Sequence, residues 1–445
     1  MSSDAAEDEV SAGPTGSFAS LSIPAFRLLW IGSIFSYMSV QMQFLLRGLL
    51  AWDLTEREGA LGIVYLAFGF AMLIATPLGG VASDRMRKRT LLLFGQAVLT
   101  LVAVFMGVVV LLDVVEFWML PLSSLVQGIM FGLTGPARVT FAAQLVGRER
   151  IGNAVSLSML GMNSSRVVAP SFAGALAGVA LIGIGGAYLV GALFAVCSFV
   201  LVLRLPDPDP TGNSRKNPFQ DIAEGVRYVA SVPSLRRLLL TMFVVVMVAF
   251  NYVSFMPALV EGEFGKDDTW VGYMSSASSI GAVAAAIPIA GIADSPKARR
   301  WFILCGFGFG ATVALLGVAP NLGVAMFVTV LIGAAATGFQ SLAGGIALGD
   351  SLETHHGRVQ SLMQLSFAAF GMAAAPLGLL AEAFGLRPVL FLMGIIALAA
   401  MTLTGFFEWS ANRRSAEDHL ATALFSPGEP LAAQGPRNPT TSRLG

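Results

Sequence analysis

Three arginines stand inside long apolar runs of this sequence: Arg47, Arg138 and Arg166. A charge at membrane depth costs about 2.5–3.5 kcal/mol on insertion scales, so each must face a protein interior or a water-filled cavity. A guanidinium held there can bind a solute. Arg166 lies about midway along its run and is the candidate for substrate contact, with Asn163 close by on the same helix. Gln43 and Arg47 are one helical turn apart and share a face, and Gln127 completes the set expected around a substrate cavity. Arg138 is near enough to a run's end to snorkel and reads as structural.

Acids follow the opposite pattern. None falls in the middle of a run: Asp53, Glu261, Asp350 and Glu382 all lie at ends. Exchange of a solute against protons needs a group whose pKa differs between two states, so Asp53 and Glu382 are the candidate proton sites. Buried Arg without buried acid favours neutral or anionic solutes over cations.

Other chemistries lack their residues. His355 and His356, with Glu353 and Asp350, fall in a short loop and read as loop polarity, so no metal site is expected. Gly306, Gly308 and Gly310 lie within an apolar run and cannot open a dinucleotide-binding βα unit. There is no phosphate-cradling loop and no nucleophile–base pair in the runs, so neither an enzyme nor a cofactor is expected. A net charge of zero offers no nucleic acid surface. Cys197 and Cys305 sit in apolar runs and read as core filler.

The elements that position these groups are membrane-length helices. The 445 residues are 55% hydrophobic and only 12% charged, with a mean hydropathy of +0.74. Apolar runs fall near 26–52, 60–82, 90–112, 117–145, 153–178 and 186–204, and again near 236–260, 270–293, 301–319, 322–348, 358–381 and 386–408. Each is long enough to span a bilayer. The expectation is an all-α membrane protein, with twelve transmembrane helices in two pseudo-symmetric six-helix bundles at 23–204 and 235–409. Polar tails at 1–22 and 410–445 are expected to be disordered. The linker at 205–234 holds a Pro- and Asp-rich stretch and then Phe219, Ile222, Val226 and Val229 at helical spacing, the pattern of an amphipathic surface helix. Acidic residues before the first run argue against a cleaved signal. Lys and Arg crowd one side, at 85–89, 148, 150, 215–216, 236–237, 297–300 and 358; the other holds Arg57, Lys266 and Arg387. The charge rule then places both termini in the cytoplasm.

Two motifs sharpen the reading. Residues 79–89 form a tight charged turn between the second and third runs, with Gly80, Asp84, Arg85, Lys88 and Arg89. The fifth run carries Ser165, Ala169, Pro170 and Gly174, small residues that permit close packing around a proline kink. The turn resembles the loop G-x-x-x-D-R-x-G-R-[KR] of the major facilitator superfamily, with Arg87 where the second Gly is usual. The fifth run resembles that superfamily's antiporter motif, with Ser165, Ala169 and Ala173 in place of glycines. Ala169-Pro170 and Ala375-Pro376 repeat in the two halves, and further residues, among them Gly135-Pro136-Ala137 and Gly357-Arg358-Val359, resemble the enterobactin-exporter and macrolide-efflux branch.

The resemblance implies the major facilitator fold and a secondary active transporter of the plasma membrane, a bacterial inner membrane. It would export a siderophore-like or macrolide-like amphipathic molecule by alternating access, as a monomer in the lipid bilayer. The turn would be a cytoplasmic latch and the fifth run a gate. Protons as coupling partner come from the resemblance alone, and Ser124 stands where its fourth helix usually carries Arg. A non-transporting receptor or scaffold, or an importer, is the alternative.

Overall fold

In a bilayer each backbone amide must find its partner within the protein, so the apolar runs fold as helices. The computed structural model describes residues 18–147, 150–179, 181–207, 218–292, 295, 297–352 and 356–425. The first set of helices is α1 (Pro24–Thr55), α2 (Glu58–Arg85), α3 (Lys88–Leu111), α4 (Met119–Val146), α5 (Ile151–Ala177) and α6 (Gly183–Leu203). A short α7 (Pro218–Ser231) follows. The second set is α8 (Pro233–Val248), α9 (Asp268–Ala290), α10 (Ala298–Gly317), α11 (Leu322–Gly349), α12 (His356–Phe384) and α13 (Leu386–Phe425).

Packing repeats between the sets with an offset of seven elements. α1 packs on α5 and α6, as α8 does on α12 and α13; α2 packs on α4, as α9 does on α11; α3 packs on α4 and α6, as α10 does on α11 and α13. Two seams join the sets, α2 against α12 and α5 against α9. Ten of the described helices are long and apolar enough to cross a membrane. α5 and α9, the pair that forms one seam, carry the densest serine content of these helices.

Several boundaries differ from expectation. Residues 19–22 form a 3-10 turn that buries Ser20, whose N–H donates to Asn153 Oδ1 at 3.0 Å, so ordered chain begins before residue 23. α13 runs to Phe425, because 411–425 holds four Ala, two Leu and two Arg, good helix formers that continue the span past residue 409. The seventh span, expected to be continuous, breaks: after Val248 come a 3-10 turn (Ala249–Val253) and a π-helical turn (Ala258–Glu263). Pro257 removes a backbone donor here. The side chain of buried Asn251 fastens the break to its neighbours, donating to Met247 O at 2.7 Å and to Phe370 O of α12 at 3.0 Å. The polar stretch at 208–217, the His355 loop and Asp294 lie outside the described residues.

Candidate solute-binding cavity

Both seams are tight at the end away from the Arg-rich loops. On α2, a Cβ added at Gly62 would lie 2.6 Å from Ala374 O and Ala375 Cα, and one at Gly69 would lie 2.7 Å from Gly371 Cα. On α9, one at Gly272 would lie 2.7 Å from the carbonyl carbon of Gly174 on α5. Only glycine lets these backbones meet. Ser171 and Ser279 close the second seam with a 2.8 Å hydroxyl pair, and Arg57 binds Glu382 across the first at 3.0 and 3.2 Å.

Where the seams end, a cavity of about 250 Å³ begins between the sets. Phe44 of α1, Phe68 of α2 and Phe131 of α4 make an aromatic wall continued by Phe367 and Phe370 of α12. Successive rings touch, with centroids 5.9 Å apart for Phe44–Phe68 and Phe44–Phe370 and 6.1 Å for Phe68–Phe131. The rest of the lining is mixed: Phe250, Tyr252, Val253 and Met256 from the seventh span stand with polar groups of α9 and α11. Gly333, Thr337, Gln340 and Ser341 recur at helical spacing on one face of α11, beside Ser275 and Ser278 of α9. Arg166 of α5 enters at the boundary, its guanidinium carbon 3.8 Å from the centre of the Phe367 ring.

Among the described residues Arg166 is the one charged residue lining this cavity, and it has no hydrogen bond or ion pair with any of them. Pro170, one turn further, lines the same space. Other expected cavity residues are elsewhere. Arg47 is 1% exposed and locked inside the first set, donating to Gln43 O at 3.1 Å, to Ser124 Oγ at 2.8 Å and to Gln127 Oε1. Gln43 and Gln127 are fully buried with it. The face of α1 that Gln43 and Arg47 share looks at α4, where Gln127 stands, and at α6, so none of the three lines the cavity. An arginine does reach Ser124, but from α1. Arg138 is buried against Ser36 and Tyr37, a structural placement.

The gate residues divide. Gly174 touches Gly272, whereas Ser165 bonds back to Gly161 O at 2.8 Å and Ala169 is fully buried in the core. Glu382 is held by Arg57 and by Gly59 N–H at 3.2 Å, an ion-paired seam residue and not an open proton site. Asp53 sits at the sealed end with Glu261 and Asp268, their carboxylate oxygens within 4.8 Å of one another. Burial first, and then Asp268 beside it, push the Glu261 carboxyl up to about 8. At the turn, Gly80 has nothing within 4 Å, Arg85 is exposed, Lys88 is buried and Arg89 donates to Leu203 O of its own set. The side chains of Asp84 and Asn163 lie outside the described residues. Sequence reasoning passed over Phe367, Thr337 and Gln340, although polar residues at i and i+3 in an apolar run were a usable signal.

Residues 15–432 match the family model described as transmembrane secretion effector. The chain belongs to that family. Transmembrane secretion effectors are major facilitator superfamily proteins, and this one is a multi-pass membrane transporter. Over 297 residues it is 24% identical to the enterobactin exporter EntS of Shigella flexneri, covering 67% of this chain and 70% of that one. Among solved structures, a bacterial homologue of the human lysosomal transporter Spinster, inward-facing and unoccupied, matches 87% of this chain and 98% of its own with a TM-score of 0.68 at 14% identity. A POT family transporter in complex with 5-aminolevulinic acid matches 86% and 96%, with a TM-score of 0.68 at 13% identity. These two likenesses establish the fold of the secretion effector and leave its solute to the cavity.

Proposed function

We propose that this transporter exports an amphipathic organic solute, siderophore-like in class, by alternating access in a bacterial inner membrane. Both termini are cytoplasmic in this reading, which makes the sealed end external and the state described here inward-facing. The observation that carries it is the juxtaposition of a closed glycine seam with a cavity lined from both helix sets. A solute entering from the Arg-rich side reaches Arg166 and can leave only after the seams at Gly174–Gly272 and Gly69–Gly371 part. Alternating access through paired bundles has this geometry. The likeness to an enterobactin exporter supports the outward direction and the solute class.

The open turn at Gly80 fits the same cycle. In an outward-open state Gly80 would pack against the second set, and Asp84 would hold that latch near a helix N-terminus. Protons are the proposed coupling ion, with the Asp53–Glu261–Asp268 group at the external end as the place where they act.

The test is accumulation of a siderophore-like solute by inside-out vesicles, with and without an imposed pH gradient. Accumulation that collapses with the gradient supports proton-coupled export. Accumulation indifferent to the gradient removes the coupling, and uptake by right-side-out vesicles alone replaces export by import. No flux in either orientation leaves a receptor.

A further inference from the structure

We infer that the cavity recognises a carboxylate carried on an aromatic ring, with Arg166 holding the carboxylate and the phenylalanine wall holding the ring. This rests on the transporter reading and narrows its solute to a chemical class.

Arg166 carries the first half. A guanidinium inside a membrane protein is expensive, and here no acid among the described residues repays it, so its partner is supplied from the cavity. Its stacking decides which anion. With one face covered by Phe367 at 3.8 Å, the guanidinium presents its N–H edge, a planar fork that matches two oxygens in one plane. A carboxylate supplies that pair as an anion at neutral pH; a phenol, titrating near 10, does not. An amine is excluded by the same charge.

The walls carry the second half. Phe367 lines the cavity beside Phe370, Phe44 and Phe68, and the Phe44 ring touches those of Phe68 and Phe370; such a wall buries an aromatic plane and stacks on its edge or face. In the same cavity, Thr337, Gln340 and Ser341 make no hydrogen bond among the described residues, so their amide and hydroxyl groups are free for an oxygen substituent on the ring. A volume of about 250 Å³ lies below the usual range for whole drug-sized ligands, so the site holds about one fused or substituted ring system and a larger solute would leave its remainder toward the open end.

Binding to the purified full-length protein in nanodiscs tests this, by thermal shift and calorimetry with four probes: 2-naphthoate, 2-naphthamide, the saturated decalin carboxylate and 2-naphthylmethylamine. Naphthoate is expected to bind at least tenfold tighter than the amide and the amine, and several-fold tighter than the decalin acid. Arg166→Gln should erase the preference for naphthoate over the amide, and Arg166→Lys should recover only part of it. Phe367→Leu, which leaves the cation in place, should weaken naphthoate several-fold, so the inference stays testable if the Arg166 variants fail to fold. Equal binding of naphthoate and amide, or an Arg166→Gln protein that keeps the preference, overturns it. Naphthoate preference without flux in vesicles upholds the site and sinks the transporter reading; flux of another solute with no such preference does the reverse.

Discussion

The two ends of this molecule are held together by different means. At the end away from the Arg-rich loops the helix sets touch backbone to backbone at glycines, with the Arg57–Glu382 pair across the seam. At the Arg-rich end the described ion pairs stay on one side. Arg87 binds Asp207 beside the first set, and Arg299 gathers Glu408 and Asp350, with Arg237 also on Glu408, within the second. There Gly80, Gly135, Gly344 and Gly349 meet nothing within 4 Å. A charge network thus ties the Arg-rich end of the second bundle to itself, while contacts between bundles are mostly short-range packing that a small separation abolishes. A seam built this way can close firmly and still part.

The largest effect should come from filling that seam. A leucine at Gly174 meets the backbone of Gly272, which cannot step aside as a side chain could. Overpacking of this kind costs about 1–3 kcal/mol, enough to shift a closed-to-open ratio by roughly 5- to 160-fold. Gly174→Leu is expected to hold the sealed end open and stop transport, read as lost cross-linking between Gly178→Cys and Thr269→Cys in a background without Cys197 and Cys305. The same substitution at Gly80, where there is space, should leave that cross-link intact. Equal loss in both would mean that glycine placement does not distinguish the ends.

Arg47 and Arg166 sharpen the comparison between bundle interior and interface. Arg47→Met strands Gln127 and Ser124 as buried groups without their donor, a cost of about 1–3 kcal/mol that should appear as a lower Tm. Arg166→Ala should change Tm less than Arg47→Met and reduce transport, since the side chain makes no hydrogen bond or ion pair in the described fold and loses only its contact with the Phe367 ring. If the two variants exchange these phenotypes, the cavity has been drawn on the wrong arginine.

The Arg57–Glu382 pair should matter less. Its arginine is 69% exposed in the side chain, so water and salt screen it. Arg57→Ala is expected to change far-end cross-linking by about two- to threefold at low salt and by less at high salt, with the exchange of the two residues restoring it.

Much of this was legible in the chain itself. Apolar runs and the one-sided Lys and Arg distribution point to the helices, and the depth of Arg166 points to the cavity. Spacing alone misplaced Arg47: a turn's separation from Gln43 shows a shared face but not whether that face meets α4 or the opposite bundle. The break after Val248 was hidden because the apolar run continues through it, although Asn251 and Pro257 marked the spot. The aromatic wall was also out of reach, because thirty-one phenylalanines look alike until the helices are packed.

The smallest effect concerns acidity at the sealed end. Glu261 lies in the turn beyond the seventh span, faced by Asp268, Asp53, Asp267 and Glu56, and its carboxyl is pushed from 4.5 up to about 8 by burial and then by those charges. A carboxyl raised in the sealed state holds a proton there that it releases once the end opens and water returns. The sealed state therefore binds more protons between those two pH values, and its advantage shrinks as pH rises through about 8. Cross-linking of Gly178→Cys with Thr269→Cys should fall between about pH 6 and pH 9, beyond what thiol ionisation in a seam-independent control pair explains. Glu261→Gln, neutral throughout, should flatten that difference and favour closure at the alkaline end. A slope that survives Glu261→Gln but not Asp53→Asn would move the titrating proton to α1; one that survives both would take pH sensing away from this seam and leave its closure to glycine packing alone.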